Sequence, residues 1–292
     1  MAIKFSFVIP AYNEENYIGD CLEAITREAK GRSDVEIIVA DNNSNDHTDA
    51  IVAKYQQVKL VREAKRGANA TRQAGFEASH GDLVAFIDAD TKMPPGWLGK
   101  VEKEFAKDPN LVCVSGPFIY YDLSRTLRVL VRIFYILGYC MYLIGRTFFH
   151  TATMIQGGNY TVRRSAFEKI GGQNVDIKFY GDDTDNAVRL SKVGVVKFTF
   201  DIPILTSGRR LAKEGAWTMG WRYAINNFWM LAFRRPWTTV SKEVRFGKEG
   251  TVYRPERRWL EVVIATLFFL FVFLVIAAMV VVVYLLGTGR ML

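Results

Sequence analysis

Cysteine, histidine and proline are scarce in this chain of 292 residues: three, three and eight. Cys21, Cys113 and Cys140 are scattered and form no CxxC pair, which suits a reducing compartment and argues against a disulfide framework or structural zinc. His47, His80 and His150 lie at no spacing that zinc uses. No GxGxxG or GxxxxGK[ST] follows the first apolar stretch, so neither a dinucleotide site nor a P-loop is indicated. The opening "MAIKFSFVIP" holds too short an apolar run for a signal peptide. Charge is missing in one place: Val262 to Gly289 contains no charged residue at all.

That run exceeds the roughly 20 residues needed to cross a bilayer. A core helix of such length would show a polar stripe. Arg254, Arg257 and Arg258 precede it, with Trp259 at the edge, so the positive-inside rule places residues 1–258 in the cytoplasm. The expectation is a single-pass protein of the cell membrane with its catalytic domain cytoplasmic. Residues 217–237, "WTMGWRYAINNFWMLAFRRPW", mix Trp, Phe and Arg as headgroup-layer helices do. Residues 128–145 carry too short an uncharged stretch to span, and read as either an interfacial or a core helix. The expected division is a domain over 1–215, with an interfacial helix at 125–150, an amphipathic and basic segment over 216–258, and a transmembrane helix over 259–287.

Half of the residues are apolar, enough for one large domain or two small ones, and the net charge is +8. The basic surplus suits anionic partners: nucleic acid, phosphates or acidic lipid headgroups. The first hundred residues alternate by type. "KFSFVIP", "VEIIVAD", "VKLVREA" and "DLVAFIDAD" read as strands. Helical patterns lie between them at Glu15–Lys30, Asp46–Gln56 and Ala68–Ser79. This alternation predicts an α/β fold, a mostly parallel sheet flanked by helices. A late stretch, "KFTFDIPILTSG", reads as a last strand. Ligands of such sheets bind beyond the carboxyl ends of the strands. Three polar stretches sit there: "IPAYNEE", "ADNNSND" and "DADTKMPP". In the last, Asp88 and Asp90 follow a buried strand one residue apart. Two carboxylates facing a crevice suit a hard divalent cation, Mn²⁺ or Mg²⁺, completed by substrate phosphates and water.

The order "VIPAYNEE", "IIVADNNSNDHT", "KRGANATRQAG", "DLVAFIDADTKMPPGWL", "GGNYTVRRSAFEKIGG" and "YGDDTDNAVRLSKVG" resembles the family 2 glycosyltransferases of the GT-A fold. The resemblance covers roughly residues 5–210 and implies an inverting transfer of sugar from a UDP- or GDP-linked donor, with a divalent metal. It implies that Pro10, Ala11 and Tyr12 pack on the nucleobase, that Glu14 reaches the nucleoside, and that Asp41 bonds the base edge. The family often has a second acid after Asp41; here Asn42 follows. It also implies that Lys65 and Arg72 face the nucleotide or its phosphates, that Asp88 touches ribose or metal, that Ala89 lies in the nucleotide-sugar site, and that Asp90 holds the metal on the diphosphate. Gly157, Gly158 and Asn159 match a loop on the sugar side. "GDDTD" matches the family's Glu-Asp motif with Asp182 in place of Glu, and puts Asp183 at the catalytic-base position. Helix capping by either acid is the plainer reading. Arg209 and Arg210 follow the last strand, where they clamp phosphate or face a membrane.

The expected acceptor is a hydroxyl of a lipid or lipid-linked glycan, with the membrane as partner and no nucleic acid. Two alternatives stay open. A polyprenyl-phosphate sugar transferase shares the fold, but its anionic acceptor needs no base. A degenerate nucleotide-binding membrane module would bind without turnover. Processive synthases carry a Q-x-x-R-W motif, and nucleotidyltransferases a Gly- and Arg-rich opening loop; neither is present.

Overall fold

The computed structural model describes residues 3–149, 154–177 and 181–215, together with 219, 220 and 223. The expected membrane helix at 259–287 and all but three residues of 216–258 lie outside them. In chain order the elements are β1 (Phe5–Ala11), α1 (Ile18–Glu28), β2 (Val35–Asp41), α2 (Thr48–Val52), β3 (Val58–Arg62), α3 (Ala68–Glu77), β4 (Leu83–Ile87), β5 (Thr91–Lys92) and α4 (Trp97–Lys107). They continue as β6 (Leu111–Ser115), β7 (Phe118–Tyr120), α5 (Arg125–Phe149), β8 (Asn159–Arg163), α6 (Arg164–Lys169), α7 (Asp182–Leu190), β9 (Val195–Phe198), β10 (Ile204–Thr206) and α8 (Arg209–Glu214).

Seven strands form the central sheet in the order β3-β2-β1-β4-β8-β6-β9. Only β8 runs against its neighbours, β4 and β6. The early strands are apolar on both faces because helices cover both sides of a parallel sheet. In β1, Phe5, Phe7, Val8 and Ile9 are all fully buried. Its one polar residue, Ser6, is satisfied by donating to Glu36 at 2.6 Å and accepting from the Gly81 N–H at 2.8 Å. An aromatic cluster holds the β4–β8 seam: Phe86 stacks on Tyr160 at 4.7 Å and meets Phe167 at 5.4 Å. Each such ring contributes about 1.5–3 kcal/mol through burial.

The late strand divides. "KFTFDIPILTSG" forms β9 and β10, separated by a turn in which the Asp201 N–H binds the Thr199 hydroxyl and Pro203 offers no N–H to a ladder. The break lets β10 leave the main sheet for a small one, β5-β10-β7. There Thr206 pairs with Thr91 and Tyr120. Helix α2 is shorter than its sequence pattern at both ends; at its start Asp46 accepts from both the backbone N–H and the hydroxyl of Thr48.

Residues 128–145 lie within the single helix α5, whose inner face is core: the Tyr135 ring stacks on Phe198, and the Tyr142 hydroxyl donates to the Val196 carbonyl at 3.1 Å. Its outer face exposes Val129, Ile133, Ile136 and Leu143. Among the described residues, no helix is long and apolar enough to cross a membrane.

Candidate active site

The register of the sheet builds the site. Ala11 at the end of β1 pairs with Asp41 at the end of β2, and Ile87 at the end of β4 pairs with Asn159 at the start of β8. The loop before β8 therefore lies against the residues after β4. A cleft opens over these ends, walled on one side by Pro10, Ala11, Tyr12 and Glu14 and floored by Asp88, Ala89 and Asp90. Gly157, Gly158, Asp182, Asp183, Arg72 and Arg209 also line it.

Close approach explains the paired glycines. A Cβ on Gly158 would fall 2.2 Å from the Asp88 carboxyl carbon, and one on Gly157 would fall 2.4 Å from Asp183 Oδ1. The Gly157 backbone beside Asp183 opposes the rise in its pKa. One loop thus brings its bare backbone close against both acids.

Arg72, on the buried face of α3, stands between the two halves of the cleft. Its guanidinium lies 3.0 Å from Asp88 Oδ1 and 3.3 Å from Asp182 Oδ2. Burial works against its charge, but Asp88 and Asp182 outweigh that and hold it protonated. The sequence places it facing the nucleotide or its phosphates; in the fold it lines the cleft and donates to Asn69 and to these two carboxylates.

Asp182 and Asp183 open α7. The cap position is taken by Gly181, and no side chain caps the helix, so both acids remain available to the cleft. Burial pushes Asp182 up to about 6, against the pull of Arg72. Burial, and then the neighbouring Asp182, push Asp183 well above the usual carboxylate range. Such paired, raised carboxylates are what proton transfer near neutral pH requires.

Asp90 accepts a hydrogen bond from the Thr206 hydroxyl at 3.0 Å and an ion pair from Arg209 at 3.1 Å. Burial raises its pKa while Arg209 opposes the rise. Among the described residues, no cluster of three or more His, Cys, Asp or Glu side chains could hold an ion alone. Asp88 and Asp90 fit a cation that takes the rest of its oxygens from a ligand's phosphates.

Asp41 is fully buried at the end of β2 and does not itself line the cleft. Its Oδ2 accepts from the Ser44 N–H at 3.1 Å, and its buried Oδ1 has no hydrogen-bond partner among the described residues. Asn42, next in sequence, does line the cleft, and its amide ties the 63–67 loop through the Glu63 and Lys65 carbonyls and the Gly67 N–H. Lys65 itself is exposed and outside the lining; its neighbour Arg66 instead stacks on the Tyr12 ring at 4.2 Å. Sequence reading also passed over Thr206, Tyr120 and Gln156, which line the cleft. Thr206 had a signal, as the last residue of a strand; Tyr120 and Gln156 had none.

The model of Glycosyl transferase family 2 matches residues 6–171, more than half of the chain. Bacillus subtilis YdaM, described as a probable glycosyltransferase, is 31% identical over 202 residues, which cover 65% of this chain and 47% of that one. The chain spans about half the length, or less, of the curated relatives it matches first. Among solved structures, the mannosyltransferase PcManGT of Pyrobaculum calidifontis, in complex with GDP-Man and Mn²⁺, superposes with a TM-score of 0.63 at 20% identity, covering 99% of this chain and 80% of that one. Staphylococcus aureus TarS residues 1–349, in complex with UDP-GlcNAc, superposes at 0.51 with 16% identity over 70% and 58% of the two chains. At these identities the superpositions show a shared fold.

Proposed function

The chain belongs to glycosyl transferase family 2, and from that premise we propose that it transfers a sugar, with inversion, from a UDP- or GDP-linked donor to a hydroxyl of a membrane-associated acceptor, a lipid or lipid-linked glycan at the cytoplasmic face. The observation that carries this reading is the convergence of Asp88, Asp90, Asp182 and Asp183 in one cleft beside Pro10, Ala11 and Tyr12.

The nucleobase lies along the Pro10–Tyr12 wall, with Glu14 toward the nucleoside and the buried Asp41 toward the base edge. Asp88 and Asp90 would hold Mn²⁺ or Mg²⁺, which would neutralise charge on the departing diphosphate. Both neighbours' ligands, GDP-Man with Mn²⁺ and UDP-GlcNAc, support a nucleotide-sugar and a divalent cation. Gly158 keeps the sugar side open, because a larger residue would drive into Asp88. Asp183 takes the proton of the acceptor hydroxyl as its oxygen attacks the anomeric carbon. The new C–O bond forms on the face opposite the breaking bond to phosphate, and the nucleoside diphosphate departs. Asp182 pairs with Arg72 beside it.

The membrane context rests on the uncharged run 262–289 and on α5. That helix contains no acidic residue, and its exposed Val129, Ile133, Ile136 and Leu143 alternate with exposed Arg125, Arg128, Arg132 and Arg146. Apolar and basic side chains on one face suit an anionic bilayer surface.

The test is a panel of UDP- and GDP-sugars with Mn²⁺ and a lipid-linked hydroxyl acceptor, read by diphosphate release and by the anomeric configuration of the product. Release with inversion supports the reading. Retention of configuration, or binding of donor without turnover at any acceptor, would overturn it.

A further inference from the structure

Arg209 is the first residue of α8, yet its side chain reaches back across the whole cleft. Its Nη2 lies 2.6 Å from Glu14 Oε1, its Nε lies 3.1 Å from Asp90 Oδ2, and its guanidinium stacks on the Tyr17 ring at 4.5 Å. The side chain is about four-fifths buried, at 19% exposure. Glu14 follows β1, Asp90 follows β4, and Arg209 follows β10, so three distant segments meet at one charge. The backbone under Arg209 is fixed independently. Thr206 pairs with Thr91, and Asp122 accepts from the Ser207 hydroxyl at 2.6 Å and from the Gly208 N–H at 2.5 Å. The loop therefore stays in place whichever way the guanidinium points.

We infer that Arg209 is an exchangeable counter-ion: in the ligand-free cleft its guanidinium neutralises Asp90 and Glu14, and on donor loading it gives up Asp90 and turns to the diphosphate. The inference rests on the donor-site reading above, in which Asp90 takes the cation. Two carboxylates buried near each other repel, and each is costly without an opposite charge. Arg209 supplies that charge. A divalent cation arriving alone meets a guanidinium already on its ligand. A cation arriving with a nucleoside diphosphate brings an anion to receive Arg209, and the planar fork of the guanidinium matches phosphate oxygens in pairs. Arg209 thereby favours joint loading of nucleotide and metal over metal alone.

The experiment measures two affinities on the full chain: Mn²⁺ alone, by electron paramagnetic resonance, and UDP or GDP in saturating Mn²⁺, by calorimetry. Arg209→Ala should tighten Mn²⁺ alone by about tenfold, the low end of the effect of a charge within a few ångströms. The same change should weaken the nucleoside diphosphate by about tenfold. Arg209→Lys keeps the charge without the fork, so Mn²⁺ affinity should stay near wild type while the nucleotide weakens; this variant also guards against loss of fold. Asp90→Ala is the reference. If Mn²⁺ binding ignores Asp90→Ala, the donor-site reading falls and the exchange with it. If Mn²⁺ binding needs Asp90 yet is unchanged or weakened by Arg209→Ala, the exchange alone is overturned.

Discussion

Gly158→Ala offers a sharp test of how the cleft is held together. The added Cβ would fall 2.2 Å from both Cγ and Oδ2 of Asp88. Ordinary carbon contacts lie at about 3.5–4.0 Å, so the carboxylate must retreat by more than about an ångström. Gly158 is not among the residues with positive φ, so alanine brings no backbone strain and the effect is confined to the clash. The Asp88 side chain is 34% exposed and can swing toward solvent, but doing so breaks its 3.0 Å pair with Arg72. Overpacking of this kind costs about 1–3 kcal/mol of stability. For a domain of this size that is a fall in melting temperature of roughly 2–4 °C per kcal/mol. An ångström of misplacement in a reacting group costs about a hundredfold in rate. Gly158→Ala should therefore weaken binding of the nucleoside diphosphate with Mn²⁺ and cut transfer about a hundredfold, with the protein still folded. The neighbouring Gly157→Ala strikes Asp183 instead. It should lower kcat while leaving nucleotide affinity unchanged. The assay is transfer rate and diphosphate affinity, measured side by side with a thermal melt. Wild-type kinetics in Gly158→Ala, or one shared pattern in the two variants, would refute the assignment of the loop to two separate acids.

Asp183→Asn keeps the size of the residue but cannot accept the proton; transfer should fall at least about a hundredfold with nucleotide affinity little changed. A collapse of UDP or GDP affinity alongside the rate would make Asp183 a structural residue. Asp90→Ala should abolish transfer without unfolding the chain, since Asp90 stands at a strand end, and full activity of the wild type in excess chelator would contradict the metal's role. Because the base must be ionised, and burial raises both Asp182, to about 6, and Asp183, the rate should climb with pH through a limb above the ordinary carboxylate range. A flat profile from pH 5 to 8 would argue against a carboxylate base. Changing Ile133 and Ile136 to Ser on the exposed face of α5 should slow transfer to a lipid acceptor in vesicles and spare hydrolysis of the donor; equal losses in both would remove the membrane from the role of α5.

The alternation of strand and helix in the first hundred residues was legible because it depends on local rules. Strands buried on both faces are mostly apolar, and Tyr12, Asp41 and Asp88 fall at or just past the ends of β1, β2 and β4. From this alone the carboxyl-end cleft and the Asp88–Asp90 pair could be placed. The second half was less legible, because its contacts are set by pairing between distant segments. "KFTFDIPILTSG" reads as one strand; the turn at Asp201 and Pro203 divides it, and the pairing of β10 with β5 and β7 carries Arg209 to Asp90. The sequence places Arg72 at the nucleotide or its phosphates; the fold adds its pairing with both Asp88 and Asp182 inside the cleft. Lys65 carries the right charge at the right distance along the chain, yet Asn42 holds the 63–67 loop so that Lys65 stays exposed and Arg66 meets Tyr12. The sequence by itself determined which residue types gather at the strand ends, since hydrophobic periodicity is local. Tertiary structure decided which charge faces which, because an ion pair between residues 110 or 195 positions apart is fixed by strand order and register, and neither is written in any one stretch of chain.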